Sequence, residues 1–113
     1  SEYAIANAKK EVKKYCRVAN AVDLPFDDNS IDVVISITTL HNLEENDLRI
    51  ALLEIERVAK RGSFITLDAY RDDNEKDRME AWNLTAKTVM RVDQWKEFFA
   101  DVGYSGDYHW FIP

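Results

Sequence analysis

A strand–helix–strand pattern in the middle of the chain limits the possible folds most. Residues 31–37 read IDVVISI, a nearly continuous β-branched run typical of a strand that is covered on both faces, as in a parallel sheet. A second apolar run, SFITL at residues 63–67, has the same character. An apolar stripe at helical spacing lies between the runs and predicts a helix over about residues 45–59, formed by Leu48, Ala51, Leu52, Ile55 and Val58. We therefore predict a βαβ unit with parallel strands and a right-handed crossover.

Further elements flank this unit on both sides. Apolar residues at helical spacing (Ile5, Ala8, Val12 and Tyr15) predict a first helix, and residues 17–21 are compatible with a brief strand. Lys60 to Gly62 resemble the basic last turn and terminal glycine of the central helix. The element order predicts one α/β layered domain over residues 1–113.

Two helices and a strand are predicted after the second apolar run. One helix would place a set of apolar residues on a single face: Met79, Trp82, Ala86 and Met90. The next would start near Val92, with Asp93 as its N-terminal cap and Gly103 as its end. Alternating residues in the tail from Tyr104 predict a final strand, antiparallel or at a sheet edge.

Composition excludes several classes of function. The 15 Lys and Arg against 21 Asp and Glu give a net charge of −6, which argues against a nucleic-acid surface. No apolar run approaches the roughly 20 residues that cross a bilayer, so no membrane partner is expected. The single cysteine, Cys16, favours a reducing compartment such as the cytoplasm. One Cys and two separated His provide no zinc-ligand spacing, and three glycines form no phosphate-binding loop.

Polar residues follow three of the predicted strands. Asn20-Ala21 come after the first, Ile37 to His41 after the second, and Asp68 to Tyr70 after the third. Ligands of open α/β sheets bind beyond the carboxyl ends of the strands. These three stretches are therefore the candidate ligand-binding residues.

Three segments together resemble a known family: AVDLPFDDNSIDVVISITTLHNL, LLEIERVAKRGSFITLD and VDQWKEFFADVGY. They are similar to the second half of class I S-adenosylmethionine-dependent methyltransferases, in the small-molecule branch with a "DAxxLPFxDxSFDxVxxxxxLHH" signature. The resemblance implies a Rossmann-like three-layer sandwich with a mostly parallel sheet. It also implies methyl transfer to an unidentified small-molecule acceptor.

The same resemblance implies roles for individual residues. Asn20 would accept a hydrogen bond from the adenine amino group of S-adenosylmethionine, and Ala21 would offer its backbone N–H to the ring. Ile37 and Thr38 would lie at the strand end that runs beside the methionine part of the cofactor. His41 and Asp68 are candidates for a general base or an acceptor contact, with plain loop roles as the alternative; Asn20 could equally be a turn residue. No metal site is implied.

Two elements of the family's cofactor site are absent from the sequence. One is the glycine-rich loop after the first strand, and the other is the acidic residue that binds the ribose hydroxyls. Without the first two strands, the parallel sheet would have an exposed edge. We therefore expect a C-terminal portion of a methyltransferase domain that binds S-adenosylmethionine weakly or not at all alone. It would form a homo-oligomer or associate with the missing N-terminal half.

An alternative of a different class also fits these observations. The chain could be a non-catalytic Rossmann-like association module that dimerises through its exposed sheet edge. An aromatic helix face, Trp95, Phe98 and Phe99, could contribute to such an interface. A nicotinamide-binding enzyme has less support, because its glycine fingerprint is equally absent.

Overall fold

The computed structural model describes residues 1–113. Four strands and five α-helices alternate along the chain, and a 3₁₀ helix spans Leu40–Asn42. The strands are β1 (Ile31–Ile37), β2 (Ala59–Tyr70), β3 (Met90–Arg91) and β4 (Asp107–Phe111). The helices are α1 (Glu2–Ala6), α2 (Lys10–Lys13), α3 (Glu45–Val58), α4 (Asp73–Trp82) and α5 (Val92–Val102).

The long strand β2 is the centre of a four-stranded sheet in which every pairing is parallel. β1 runs along β2 from Ile31 to Ile37. β4 pairs with the other edge of β2, from Phe64–Asp107 to Asp68–Phe111, and β3 adds a short pairing near Tyr70. The predicted α/β class and parallel sheet are confirmed. The final strand is parallel and lies at an edge, so of the two predictions for it only the edge position is correct.

Helices α3 and α5 supply the core on one face of the sheet. The predicted stripe of α3 is buried in full. It packs with alternate residues of β2, including Ile65 and Leu67, and with the ring of Trp95 from α5; all three are fully buried. α5 ends at Gly103, as predicted, because this residue has φ 83°, which glycine adopts without strain. No helix is long and apolar enough to cross a membrane.

The other face of the sheet is open along β1. Val33, Ile35 and Ile37 project to this side at every second position, and their exposed fractions are 53%, 65% and 54%. β1 also has no neighbour on its outer edge, because its only pairing is with β2. The strand therefore has the sequence of a doubly covered strand, but this chain covers only one of its faces.

A charged network ties the turn after residue 23 to α3. The Arg57 guanidinium donates to the carbonyl oxygens of Phe26 at 2.8 Å and Leu24 at 3.0 Å, and to Glu54 at 2.7 Å. Glu54 in turn accepts from the Leu24 N–H at 2.8 Å. These bonds lower the pKa of Glu54 to about 2, chiefly through the Arg57 hydrogen bond and next through Leu24 N–H.

The predictions for the N-terminal region were wrong. One helix was predicted, but α1 and α2 are short and separate, and Val12 and Tyr15 of the apolar stripe are exposed. The strand predicted at residues 17–21 does not form; only an isolated bridge joins Asn20 to Asp23. Short helices gain most of their stability from packing, and a strand needs a neighbour for its backbone hydrogen bonds. No part of this chain supplies either.

Smaller corrections concern element ends. α3 stops at Val58 and the chain enters β2 directly, so Lys60 to Gly62 are strand residues and not a helical terminus. α4 ends at Trp82, which leaves Ala86 and Met90 outside the predicted helix. The N-cap of α5 is Arg91 and not Asp93: the Gln94 side chain accepts from the Arg91 N–H at 3.0 Å. In each case pairing with β2 or a local hydrogen bond decided the boundary.

Candidate functional site

A cavity of about 320 Å³ lies at the carboxyl ends of β1 and β2. Residues that are far apart in the sequence form its wall, because parallel strands bring their carboxyl ends to the same edge of a sheet. Three of the predicted site residues, Thr38, His41 and Asp68, meet there. The other lining residues are Asn42, Trp82, Asn83, Leu84, Thr85 and Phe111.

Thr38 turns the chain sharply at the end of β1. Its φ is 47°, in the left-handed region that β-branched residues rarely occupy. Its backbone N–H donates to the Thr66 hydroxyl at 2.8 Å and to the Thr66 carbonyl at 3.1 Å, which fixes the turn. Backbone strain of this kind concentrates at ligand sites and is retained where the surrounding structure holds it. The turn directs the following residues across the end of β2.

His41 and Asp68 form a buried pair in the wall of the cavity. His41 is 3% exposed and Asp68 is 1% exposed. The His41 Nδ1 accepts from the Asp68 backbone N–H at 3.4 Å, and its Nε2 lies 3.3 Å from Asp68 Oδ2. This pattern assigns the hydrogen of a neutral ring to Nε2. Burial lowers the pKa of His41, while the Asp68 carboxylate acts in the opposite direction.

The two carboxylate oxygens of Asp68 have different surroundings. Oδ2 accepts from the Asn83 side-chain amide and lies against His41. Oδ1 is buried and has no hydrogen-bond partner. The backbone oxygen of Asp68 accepts from the indole N–H of the fully buried Trp95 at 3.1 Å. Asp68 is therefore rigidly held with one oxygen unsatisfied. The sequence pattern predicts Asp68 at the end of a strand, but β2 continues to Tyr70.

The segment from Asn83 to Thr88 forms the outer wall and is tied to the 3₁₀ helix. The N–H groups of Lys87 and Thr88 both donate to the His41 carbonyl, at 2.9 and 3.0 Å. The Thr88 hydroxyl donates to the Leu43 carbonyl at 2.7 Å, and that of Thr85 donates to Asn42 Oδ1 at 3.0 Å. The wall therefore keeps a defined position although it is irregular.

Asn20, Ala21 and Ile37, three of the four predicted cofactor residues, lie elsewhere. None of them lines a cavity of the structure. Asn20 is exposed, and its Oδ1 accepts from the Val22 N–H at 3.2 Å, as a turn residue does. Ala21 packs against the core and Ile37 belongs to the open face of β1. Their roles in cofactor binding stay predictions.

Asn83 is a site residue that the sequence did not predict. Its Oδ1 accepts from the N–H groups of Thr85 and Ala86, at 3.0 and 2.7 Å, in a local turn after α4. The sequence shows a turn former at this position, because Asn often binds the backbone two or three residues ahead. It gives no signal for the long-range bond to Asp68.

Comparison with known proteins identifies the family of this chain. Residues 1–67, more than half of the chain, match the model of the family described as "Methyltransferase domain". The chain belongs to this family. The match confirms the resemblance to class I methyltransferases and agrees with the parallel α/β sheet.

Two relatives match at modest identity. A tRNA (carboxymethyluridine(34)-5-O)-methyltransferase of Arabidopsis thaliana is 34% identical over 79 residues, which cover 69% of this chain and 19% of the relative. An uncharacterized protein of Haemophilus influenzae is 33% identical over 105 residues, which cover 88% of this chain and 41% of the relative. The chain thus spans less than half the length of either relative. No solved structure matches it significantly.

Proposed function

We propose that this chain is the acceptor-side part of a methyltransferase domain, in an enzyme that transfers a methyl group from S-adenosylmethionine to a small molecule. The observation that carries the proposal is the meeting of Thr38, His41 and Asp68 at one cavity, at the carboxyl edge of a parallel sheet. Membership in the methyltransferase domain family supports the type of reaction. The cavity has a size suited to part of a small ligand.

The residues present do not enclose the cofactor by themselves. Asn20, Ala21 and Ile37 line no cavity, and the Asn20 side chain already binds its own turn. S-adenosylmethionine would supply an activated methyl group on its sulfonium. The chain's own contribution is to hold the acceptor, because methyl transfer depends mainly on proximity and orientation. We therefore propose weak or no cofactor binding by this chain alone.

The open side of the sheet supports an association partner. β1 presents an unpaired edge and three half-exposed apolar side chains, Val33, Ile35 and Ile37. Covering such an edge would pair its backbone groups and remove apolar surface from water. We propose that another part of a methyltransferase domain, or a second copy of this chain, occupies it. The alternative of a non-catalytic association module rests on the same surface.

The net charge of −6 favours a small acceptor over a nucleic acid. The Arabidopsis relative, by contrast, carries the name of a tRNA methyltransferase. A tRNA acceptor requires basic residues to contact phosphates, and these are outnumbered in this chain. The free Cys16 supports a reducing compartment, and we propose the cytoplasm.

The proposal is tested by calorimetric titration of S-adenosylmethionine into two samples. One is the 113-residue chain, and the other is the complete protein encoded by its gene. We expect micromolar binding and methyl transfer only by the complete protein. Micromolar binding by the chain alone would show that its cofactor site is complete. Binding by neither sample would contradict methyltransferase function and favour the association module.

A further inference from the structure

Asp68 Oδ1 is the one buried side-chain nitrogen or oxygen atom of this structure that lacks a hydrogen-bond partner. Buried polar atoms are almost always paired, so an unpaired carboxylate oxygen requires an explanation. Asp68 forms part of the cavity wall, and its side chain is 1% exposed. A ligand donor that enters from the cavity would satisfy this oxygen.

His41 cannot take the same role. Its Nδ1 and Nε2 both face Asp68, at 3.4 and 3.3 Å, so neither nitrogen is free to receive a proton from a ligand. Asn83 is also committed, through its amide to Asp68 and through its oxygen to the turn. His41 and Asn83 are therefore positioning residues. They hold Asp68 Oδ2 and leave its Oδ1 without a hydrogen-bond partner.

The rest of the cavity wall determines which shape and polarity the remainder of the ligand can have. The rings of Trp82 and Phe111 lie with centroids 4.8 Å apart, and both are partly exposed. Leu84, 93% exposed, adds apolar surface at the rim. The Thr85 hydroxyl donates to Asn42 Oδ1 at 3.0 Å. Aromatic faces of this kind favour flat, apolar groups.

We infer that the cavity binds a planar ring compound that carries a hydroxyl or amino group and donates its O–H or N–H to Asp68 Oδ1. A compound with a carboxylate at that position is disfavoured, because two like charges would meet there. The identification of this ligand as the methyl acceptor rests on the proposed function. The inference that the cavity binds such a ligand does not depend on that function.

The test uses three probes of similar shape: benzylamine, benzyl alcohol and benzoate. Each is titrated into the full chain, and its dissociation constant is followed through the NMR signals of the Trp82 indole and the Asn83 amide. We expect the amine and the alcohol to bind at least about tenfold more tightly than benzoate, in line with the strength of charge-assisted hydrogen bonds. Benzoate binding as tightly as benzylamine would overturn the inference.

Two variants sharpen the test. Asp68→Asn keeps an oxygen for His41 and Asn83 and places an amide NH₂ at the position of Oδ1. The ranking of the three dissociation constants should therefore reverse, with benzoate binding most tightly. Trp82→Ala, followed through the Asn83 amide signal, retains Asp68 and should weaken the binding of all three probes by a similar factor. An unchanged ranking in folded Asp68→Asn protein would overturn the inference. If this variant does not fold, the wild-type ranking and Trp82→Ala decide it. Probe ranking as expected, without methyl transfer by the complete protein, would refute only the proposed function.

Discussion

The two faces of the central sheet are built from similar apolar residues but differ in what covers them. On one face Ile65 and Leu67 of β2 are fully buried under α3 and α5. On the other, Ile35 and Ile37 of β1 are more than half exposed. Side-chain type alone therefore does not decide burial in this molecule. The difference indicates which face stabilises the chain itself and which is available to a partner.

The covered face should show the largest effect of a single substitution. Trp95→Ala removes a fully buried ring and its hydrogen bond to the Asp68 carbonyl, so we expect a loss of about 3–5 kcal/mol in the free energy of unfolding. Urea denaturation measures it. Trp82→Ala is the matched control, since Trp82 is 55% exposed, and it should cost far less. Equal losses would contradict the assignment of the core.

The Glu54–Arg57 network ties the N-terminal turns to the covered side, and Glu54→Gln should weaken that connection. The pKa of Glu54 is lowered from 4.5 to about 2. Its stabilisation is therefore present above pH 4.5 and is lost as the pH falls toward 2. We expect a loss of about 1–2 kcal/mol at neutral pH, since the partly exposed Arg57 is screened by solvent. A pH series of urea denaturation should show that the difference between the proteins shrinks on acidification.

His41 should give a smaller, pH-dependent effect at the cavity. Burial lowers its pKa below the ordinary value of 6.5, so its contribution is present above that pH and is lost as the pH falls. The nearby Asp68 opposes this shift and keeps the effect modest. We expect the melting temperature to fall less between about pH 7 and pH 5 in His41→Gln than in wild type. Parallel curves would show that His41 does not titrate in this range.

The open face should show the smallest change in stability. Ile35→Lys places a charge on a side chain that is 65% exposed, so the free energy of unfolding should change by no more than about 0.5 kcal/mol. Association should nevertheless be lost if this face is the interface, as analytical ultracentrifugation would show. Ile50→Lys, on the outer side of α3 with 44% exposure, is the control and should leave association unchanged.

The sequence predicted those elements whose apolar residues find their partners within this chain. The stripe of α3 and the end of α5 at Gly103 were correct because both helices pack on β2. The predictions of an N-terminal helix and strand were wrong because no other part of the chain covers Val12 and Tyr15 or forms a strand pairing with residues 17–21. Local periodicity indicates which face of a helix or strand is apolar, but the element forms only where another part of the protein packs against that face.

The site was predictable in its position and less so in its detail. Parallel strands place their carboxyl ends together, so the meeting of Thr38, His41 and Asp68 follows from topology. The burial of His41 and the bond from Asn83 do not, because they depend on how an irregular segment folds back across the sheet. No periodic pattern in the sequence records such a contact.

The hydrogen-exchange rates of the two amides that donate to the His41 carbonyl report on the opening of the cavity. Lys87 and Thr88 exchange their N–H hydrogens with solvent only when the outer wall separates from the 3₁₀ helix. Their exchange rates thus measure how often the wall opens, independently of the global unfolding that releases the amides of β2. A ligand that occupies the cavity should slow these two amides first, and so would reveal itself before any product is formed.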